Sequence, residues 1–428
     1  MPIREAVRAS VAQERPHIQQ FETVRARSMA LAAPLSPEDQ CVQSMPDASP
    51  TKWHLAHTTW FFETVILREH LPGYQVFDPA FHYLFNSYYE ALGPRHARPE
   101  RGLLTRPSLE SVHAYRAHVD AAMLALLDSP RATQEIATLL ELGLNHEEQH
   151  QELLLTDIKH LFSRNIIRPA YRPPVPLAAG EPAPLRWIAC RHGEAEVGHA
   201  GEAFAFDNEA PRHRVLLHPY ALANRLVSCA EYLAFIEDDG YRRPEFWLSD
   251  GWAMVKAQGW QAPLYWEQDE AGRWQVFTLR GQRPVIGDEP VCHVSFYEAA
   301  AYAAWAGARL PTEFEWEAAA SRQATRGHLL DDALHPTPAG ANEAGQDQLC
   351  QMFGDVWEWT RSSYDPYPGF RPFSGAAGEY NGKFMVGQLV LRGGSCATPP
   401  GHIRASYRNF FPPAARWQFS GIRLARDE

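Results

Sequence analysis

The stretch Asn145-His146-Glu147-Glu148-Gln149-His150-Gln151-Glu152 constrains this chain more than any other. It lies in a segment of helical period, with Ile136, Leu139, Leu140, Leu142, Leu144, Leu153, Leu154, Ile158 and Leu161 apolar and no proline or glycine after Gly143. Residues four apart stack on one helix face, so His146 and His150 present two imidazoles to one point. Glu152 lies roughly 200° around from His150 at about 100° per residue, away from that point. The pair supplies two-thirds of a metal site. In a chain with 19 histidines, His-x3-His alone reads equally well as a solvated or core-capping pair, and a third ligand has to decide.

At 428 residues the chain is long for one domain and comfortable for two, each with its own core. Its 34 prolines and 13 tryptophans imply a loop-rich, aromatic-packed fold in at least part of the chain. A net charge of −11 with a pI near 6.0 argues against a nucleic-acid or anionic-membrane partner. The N-terminal stretch is charged, with no continuous apolar core, so it is not a secretory signal. No run of about 18 apolar residues occurs, so no transmembrane helix is expected. Six scattered cysteines without a CxxC read as mostly buried thiols of a protein in the reducing cytoplasm.

Residues 1–163 read as helical, 164–184 as a proline-rich linker running over the surface, and 185–428 as a second domain of short strands, so the fold class is α+β. Four helices are expected in the first domain. One runs through Val7, Val11, Ile18, Phe21, Val24, Met29 and Leu31, and a second starts at Ser49-Pro50-Thr51 and ends at Pro72-Gly73. The third spans about Ser108–Leu127, and the His146 helix is the fourth. Such a bundle builds metal sites from facing helices. Residues 72–107 form a long connection rich in aromatic and basic side chains, expected to cover a pocket. The second domain shows one clear helix, around Ser295–Trp305, and no internal repeat or low-complexity tract is present.

Helix two offers His54 and His57 within Trp53-His54-Leu55-Ala56-His57. With SPTKWHLAHTTWFFE and LNHEEQHQE, the first domain resembles the DinB-like four-helix bundle of the iron(II) sulfoxide synthases of ergothioneine biosynthesis. The second resembles the loop-rich formylglycine-generating-enzyme fold, that is, the sulfatase-modifying factor, C-type-lectin-like domain fused to that bundle. Its marks are Phe206-Asp207-Asn208-Glu209, Val294-Ser295-Phe296-Tyr297-Glu298-Ala299, Arg309-Leu310-Pro311-Thr312-Glu313, Gly354-Asp355-Val356-Trp357-Glu358-Trp359, Leu391-Arg392-Gly393-Gly394-Ser395 and Gly421-Ile422-Arg423-Leu424-Ala425. The resemblance spans nearly the whole chain in family order. It implies iron ligands at His57, His146 and His150, with His54 supporting or packing. Imidazoles suit iron, zinc and copper alike, so Fe(II) comes from the resemblance alone.

The resemblance also assigns substrate contacts. A formylglycine-generating enzyme relies on a late pair of copper-binding cysteines, whereas here Cys396 follows Cys350 with no close partner, so the second domain is expected to wall the iron pocket and hold substrate. Asn409 matches the asparagine on the hercynine carboxylate, Phe410 an aromatic ring near the trimethylammonium group, and Gln149 a glutamine near the hercynine imidazole. Arg98 and Arg101 match an arginine pair that holds the donor's carboxylate. Members using γ-glutamylcysteine carry an acidic and a basic residue where this chain has Phe411 and Ala415, so a smaller donor, cysteine, is expected. In the cysteine-using branch a loop tyrosine, here Tyr88 or Tyr89, delivers a proton to the developing oxyanion and steers the reaction toward C–S bond formation.

The implied function is an O2-dependent oxidoreductase joining imidazole C2 of hercynine to cysteine to give S-(hercyn-2-yl)-cysteine S-oxide. The enzymatic alternatives are a selenoneine synthase, forming a C–Se bond between hercynine and a selenosugar, and a γ-glutamylcysteine-using sulfoxide synthase. An ovothiol-type enzyme, which attacks C5 of histidine itself, usually carries an extra methyltransferase domain, and none is expected here after Glu428. A non-catalytic bundle fused to a binding domain would not need the histidines, Gln149, Asn409 and the tyrosine pair together.

Overall fold

The computed structural model describes residues 15–175, 183–340, 348–373, 378–379 and 381–428. Val7, Val11, Pro176 and Pro182 lie outside the described residues. The chain divides into two compact units, Met1–Arg164 and Asn165–Glu428.

The first unit is built on α1 (Arg15–Ala32), α2 (Thr51–Phe61), α3 (Leu109–Leu127) and α4 (Gln134–Arg164). Every residue of α2 is buried, so its polar side chains must find partners inside the bundle. The helix continues past Phe61 as a π-helical stretch, Phe62–Leu67, and then one α turn, Arg68–His70. Such local π geometry commonly sits beside functional residues, and here it begins five residues after His57. Gly143 on α4 explains how closely the two helices meet. A Cβ there would stand 2.6 Å from Phe62 Cε1 and 2.9 Å from Phe61 Cε1. On α3, Ser108 caps the first turn by accepting the Ser111 N–H.

The connection from α2 to α3 contains only short turns, among them Phe81–Leu84, Glu90–Leu92 and Arg98–Leu103. It is sewn onto α2 by side-chain donors. Trp60 Nε1 donates to the His82 carbonyl at 3.1 Å, Trp53 Nε1 to Leu84 at 3.2 Å, and Lys52 Nζ to Leu104 and Pro107 at 2.7 and 2.9 Å. These bonds satisfy the buried polar groups of α2 and hold an irregular backbone against a helix.

The second unit begins with a strap rather than a free connector. Tyr171 and Arg172 N–H groups donate to the Leu279 carbonyl at 2.8 and 3.0 Å, and Arg168 pairs with Glu267. The sheets are small. β1 (Trp187–Ala189), β4 (Tyr220–Ala223) and β12 (Ala425–Asp427) form one, and β2 (Gly193–Val197) pairs with β3 (His213–Leu217). A third joins β5 (Trp266–Gln268), β6 (Trp274–Thr278) and β7 (Gly281–Pro284). The fourth has the order β10 (Asn409–Phe411), β9 (Leu389–Arg392), β8 (Trp357–Ser363), β11 (Ser420–Gly421).

Among the described residues, four α-helices pack among them: α5 (Cys229–Glu237), α6 (Ser249–Gln258), α7 (Phe296–Trp305) and α8 (Glu313–Ala320). Only α7 was expected. Yet α5, α7 and α8 each open with a capping box, Ser228 with Glu231, Ser295 with Glu298 and Thr312 with Glu315. Among the described residues, none of the six cysteines is joined in a disulfide. Among the described residues, no helix is long and apolar enough to cross a membrane.

Candidate metal centre

His57 on α2 and His146 and His150 on α4 converge, with one ligand atom from each lying within 4.8 Å of the others. Their ring centroids are 4.9 Å (His57–His146), 4.8 Å (His57–His150) and 4.7 Å (His146–His150) apart. His57 Nε2 and His146 Nε2 approach to 3.2 Å. His57 Nδ1 donates to the Phe85 carbonyl at 2.6 Å, which leaves Nε2 as the free base. Trp53 stacks on the His57 ring at 4.6 Å and 14°, and Trp60 lies beyond it at 5.8 Å.

These imidazoles are held neutral, the form that binds metal. Burial pulls His146 down to about 3. Burial, and then the neighbouring histidines, hold His57 and His150 well below the usual imidazole range. Three converging neutral nitrogens, at least one with its second nitrogen already committed to a carbonyl, fit a divalent transition metal.

The flank of α4 beside the two histidines is closed by charge pairing. Glu147 is fully buried, and it accepts Arg25 Nη1 at 2.7 Å, Arg116 Nη2 at 2.9 Å and the Ser28 hydroxyl at 2.6 Å. Burial opposes its ionisation, but the two guanidiniums hold it at about 2. Glu147 thereby anchors α4 to α1 and α3 and sets the rotation that turns its neighbour His146 inward.

Arg101 comes to the same region from the connecting loop. Only 3% exposed, it lies over the Trp53 ring at 3.3 Å, on the ring that stacks on His57. Its guanidinium donates to Ser49 Oγ at 2.9 Å and Ser87 Oγ at 3.0 Å, while Nε has no partner. Among the described residues, no carboxylate pairs with it. Burial, then Arg98 and Arg95, pull its pKa well below the ordinary arginine value, against the influence of Asp157 and Tyr88. Arg98 behaves differently: it is exposed and donates to the Asp47 carbonyl.

Tyr89 is buried against Trp60 (5.5 Å) and Phe61 (6.5 Å), whose ring lies 5.1 Å from His146. Tyr88 is half-buried, 5.0 Å from Tyr89. Gln149 is half-buried on α4 between the two ligand positions. Sequence reasoning passed over Asp157, which accepts His54 Nε2 at 3.0 Å and the Ser49 N–H at 2.8 Å. The available signal was its place two turns beyond His150.

In the second unit, Asn409, Phe410 and Phe411 form β10. Asn409 Oδ1 accepts the Phe410 N–H at 2.9 Å, which leaves the amide NH2 to donate elsewhere. Tyr364 covers one face of Phe410 at 4.0 Å and 14°. Phe411 meets Trp417 edge-on at 6.0 Å. Ala415 is 2% exposed, and Arg416 is turned to Glu298 at 2.9 Å and over Trp260 at 4.3 Å.

Residues 20–154 match the DinB superfamily, and residues 181–428 match the sulfatase-modifying factor enzyme 1-like domain. The hercynine oxygenase of Mycolicibacterium smegmatis is 36% identical over 419 residues, covering 90% of this chain and 92% of that one. That of Mycobacterium tuberculosis is 34% identical over 430 residues, 94% and 96% of the two chains. The formylglycine-generating enzyme of Streptomyces coelicolor is 29% identical over 296 residues, 57% of this chain and 89% of its own. By identity and coverage together, the chain belongs to the hercynine oxygenase family of oxygen-dependent oxidoreductases.

Proposed function

We propose that the chain is an iron(II)-dependent sulfoxide synthase of ergothioneine biosynthesis. It joins imidazole C2 of hercynine to the sulfur of cysteine to give S-(hercyn-2-yl)-cysteine S-oxide. The observation that carries this reading is the neutral cluster of His57, His146 and His150 in a chain so similar to hercynine oxygenases along its length. In the balance, one C–H and one S–H bond are replaced by C–S and S=O, O2 is reduced by four electrons, and one oxygen leaves as water. Iron(II) held by His57, His146 and His150 would supply the electron transfer to dioxygen.

The chain's own residues then bind and orient. Arg101, buried without a carboxylate, holds the carboxylate of the sulfur donor, because a guanidinium fork matches that group and gains the counter-ion it lacks. Arg98, from the exposed edge of the same turn, adds a weaker second contact. Gln149 faces the hercynine imidazole. The Asn409 NH2 donates to the hercynine carboxylate, and Phe410 packs near its trimethylammonium group. Tyr88, half-buried and electrostatically coupled to Arg101, delivers a proton to the developing oxyanion, while Tyr89 packs behind it. Phe411 and the buried Ala415 offer no charge to a glutamyl arm, and Arg416 is already paired with Glu298, which supports cysteine as donor.

The test is anaerobic reconstitution with iron(II), followed by oxygen uptake and mass spectrometry with hercynine plus cysteine, γ-glutamylcysteine or a selenosugar in parallel. The cysteine-derived sulfoxide is the expected product. A carbon–selenium product with inert thiols would make the chain a selenoneine synthase, and no uptake with any donor would remove the catalytic reading.

A further inference from the structure

His150 meets another histidine where a metal ligand would ordinarily meet a carbonyl or carboxylate. Its Nδ1 lies 2.8 Å from Nδ1 of His54, so one of these nitrogens donates and the other accepts. The next bond decides which. His54 Nε2 is 3.0 Å from Asp157 Oδ2, and that carboxylate only accepts, as it also does from the Ser49 N–H at 2.8 Å. His54 therefore carries its proton on Nε2, and in the neutral ring its Nδ1 is the acceptor. His150 must donate from Nδ1, which leaves its Nε2 lone pair for the cluster with His57 and His146.

We propose that Asp157 and His54 are positioning residues, a charge-backed relay that fixes the tautomer and rotation of His150 and raises its donor strength toward a bound metal ion. This rests on the reading that His57, His146 and His150 hold that ion. The relay is built from two elements. Asp157 lies seven residues beyond His150 on α4, about 700° around and so nearly on the same face, while His54 comes from α2 one turn before His57. His54 is 3% and Asp157 7% exposed, so water does not compete for these bonds. The ligands are unequal as a result. His57 leans on an uncharged carbonyl of Phe85, whereas His150 is backed through His54 by a carboxylate. His150 is the more electron-rich of the two.

The relay is tested by titrating metal-free full-length protein with Co(II), reading affinity by chelator competition and the ligand field by the visible bands. His54→Phe is expected to weaken Co(II) binding by about 10- to 100-fold, the usual cost of losing an outer partner, and to shift the bands. His54→Asn, whose Oδ1 can accept from His150 in place of Nδ1, is expected to recover most of the affinity. Asp157→Asn keeps the shape and removes the charge, and should fall between wild type and His54→Phe. Wild-type affinity and bands in both His54→Phe and Asp157→Asn would overturn the relay, as would His54→Asn being as impaired as His54→Phe. Should His54→Phe not fold by circular dichroism, Asp157→Asn carries the test alone, with unchanged affinity and bands as the contrary result. A wild-type protein that takes up no Co(II) would instead remove the metal reading beneath the relay.

Discussion

The two units bury charge by one rule, and the first breaks it at a single place, around the histidines. In the second, fully buried arginines are matched to carboxylates. Arg423 meets Glu358 at 2.8 Å, and Arg392 meets Glu313 at 2.8 Å and Glu317 at 3.0 Å. Arg408 shares Glu313 at 2.9 Å. These pairs tie loops and short strands to α8 and β8, where apolar packing alone has little regular structure to work with. In the first unit Arg25, Arg116 and Glu147 follow the same rule on one side of α4. Around the histidines the rule lapses: three imidazoles stay neutral, and among the described residues Arg101 donates to hydroxyls and to no carboxylate. Paired buried charge serves as scaffold, and a buried guanidinium beside neutral imidazoles is where a substrate carboxylate would gain most.

This contrast is broken most sharply by paired substitutions. Arg423→Met leaves Glu358 as an uncompensated buried charge and is expected to cost about 3–5 kcal/mol in chemical denaturation. Arg101→Met gives up the bonds to Ser49 and Ser87 but removes a buried cation that no carboxylate among the described residues pairs, so stability should hold within about 1 kcal/mol or rise. Its cost should appear in catalysis, as a KM for the sulfur donor raised about tenfold or more through loss of a charge-assisted bond. Equal destabilisation by the two substitutions would erase the distinction between the units.

A smaller effect sharpens the same comparison through pH. Burial opposes the charge on His328 in the second unit, but Asp355 at 2.9 Å and Asp331 at 3.2 Å raise its pKa above 6.5. A raised imidazole pKa means the folded state holds the proton more tightly than the unfolded one. That stability is complete below about pH 6.5 and is lost as pH rises through the folded value. A shallow decline, under about 1 kcal/mol in total, is expected over that window, and His328→Asn should flatten it. An unchanged slope in the variant would show that the pair contributes nothing.

Much of this was legible in the residues, for reasons particular to each element. The His146–His150 face follows from helical period alone, because ligand spacing and helix geometry share one repeat. The third ligand did not: nothing local to Trp53-His54-Leu55-Ala56-His57 says which histidine faces α4, and only the family resemblance chose His57. The π-helical stretch was hidden because its packing partner, Gly143, is remote in sequence. Arg101 was singled out and lies beside the cluster, whereas its neighbour Arg98 stays at the exposed edge, a difference set by a tertiary stack on Trp53. The helices α5 and α8 were missed although Ser228-x-x-Glu231 and Thr312-x-x-Glu315 announced them, because at 9 and 8 residues each is shorter than the stretch over which a helical period can be told from a strand or loop. Asp157 needed both helices in place before its bond to His54 had meaning.

The most direct measurement is an anaerobic iron(II) titration of the metal-free full chain, beside His57→Ala, His146→Ala and His150→Ala, with circular dichroism to check that each is folded. One equivalent of tightly bound iron in the wild type, lost in each folded variant, is the expected result. One equivalent held with undiminished affinity by all three variants would contradict the assignment and move the metal, and with it the chemistry, away from this cluster.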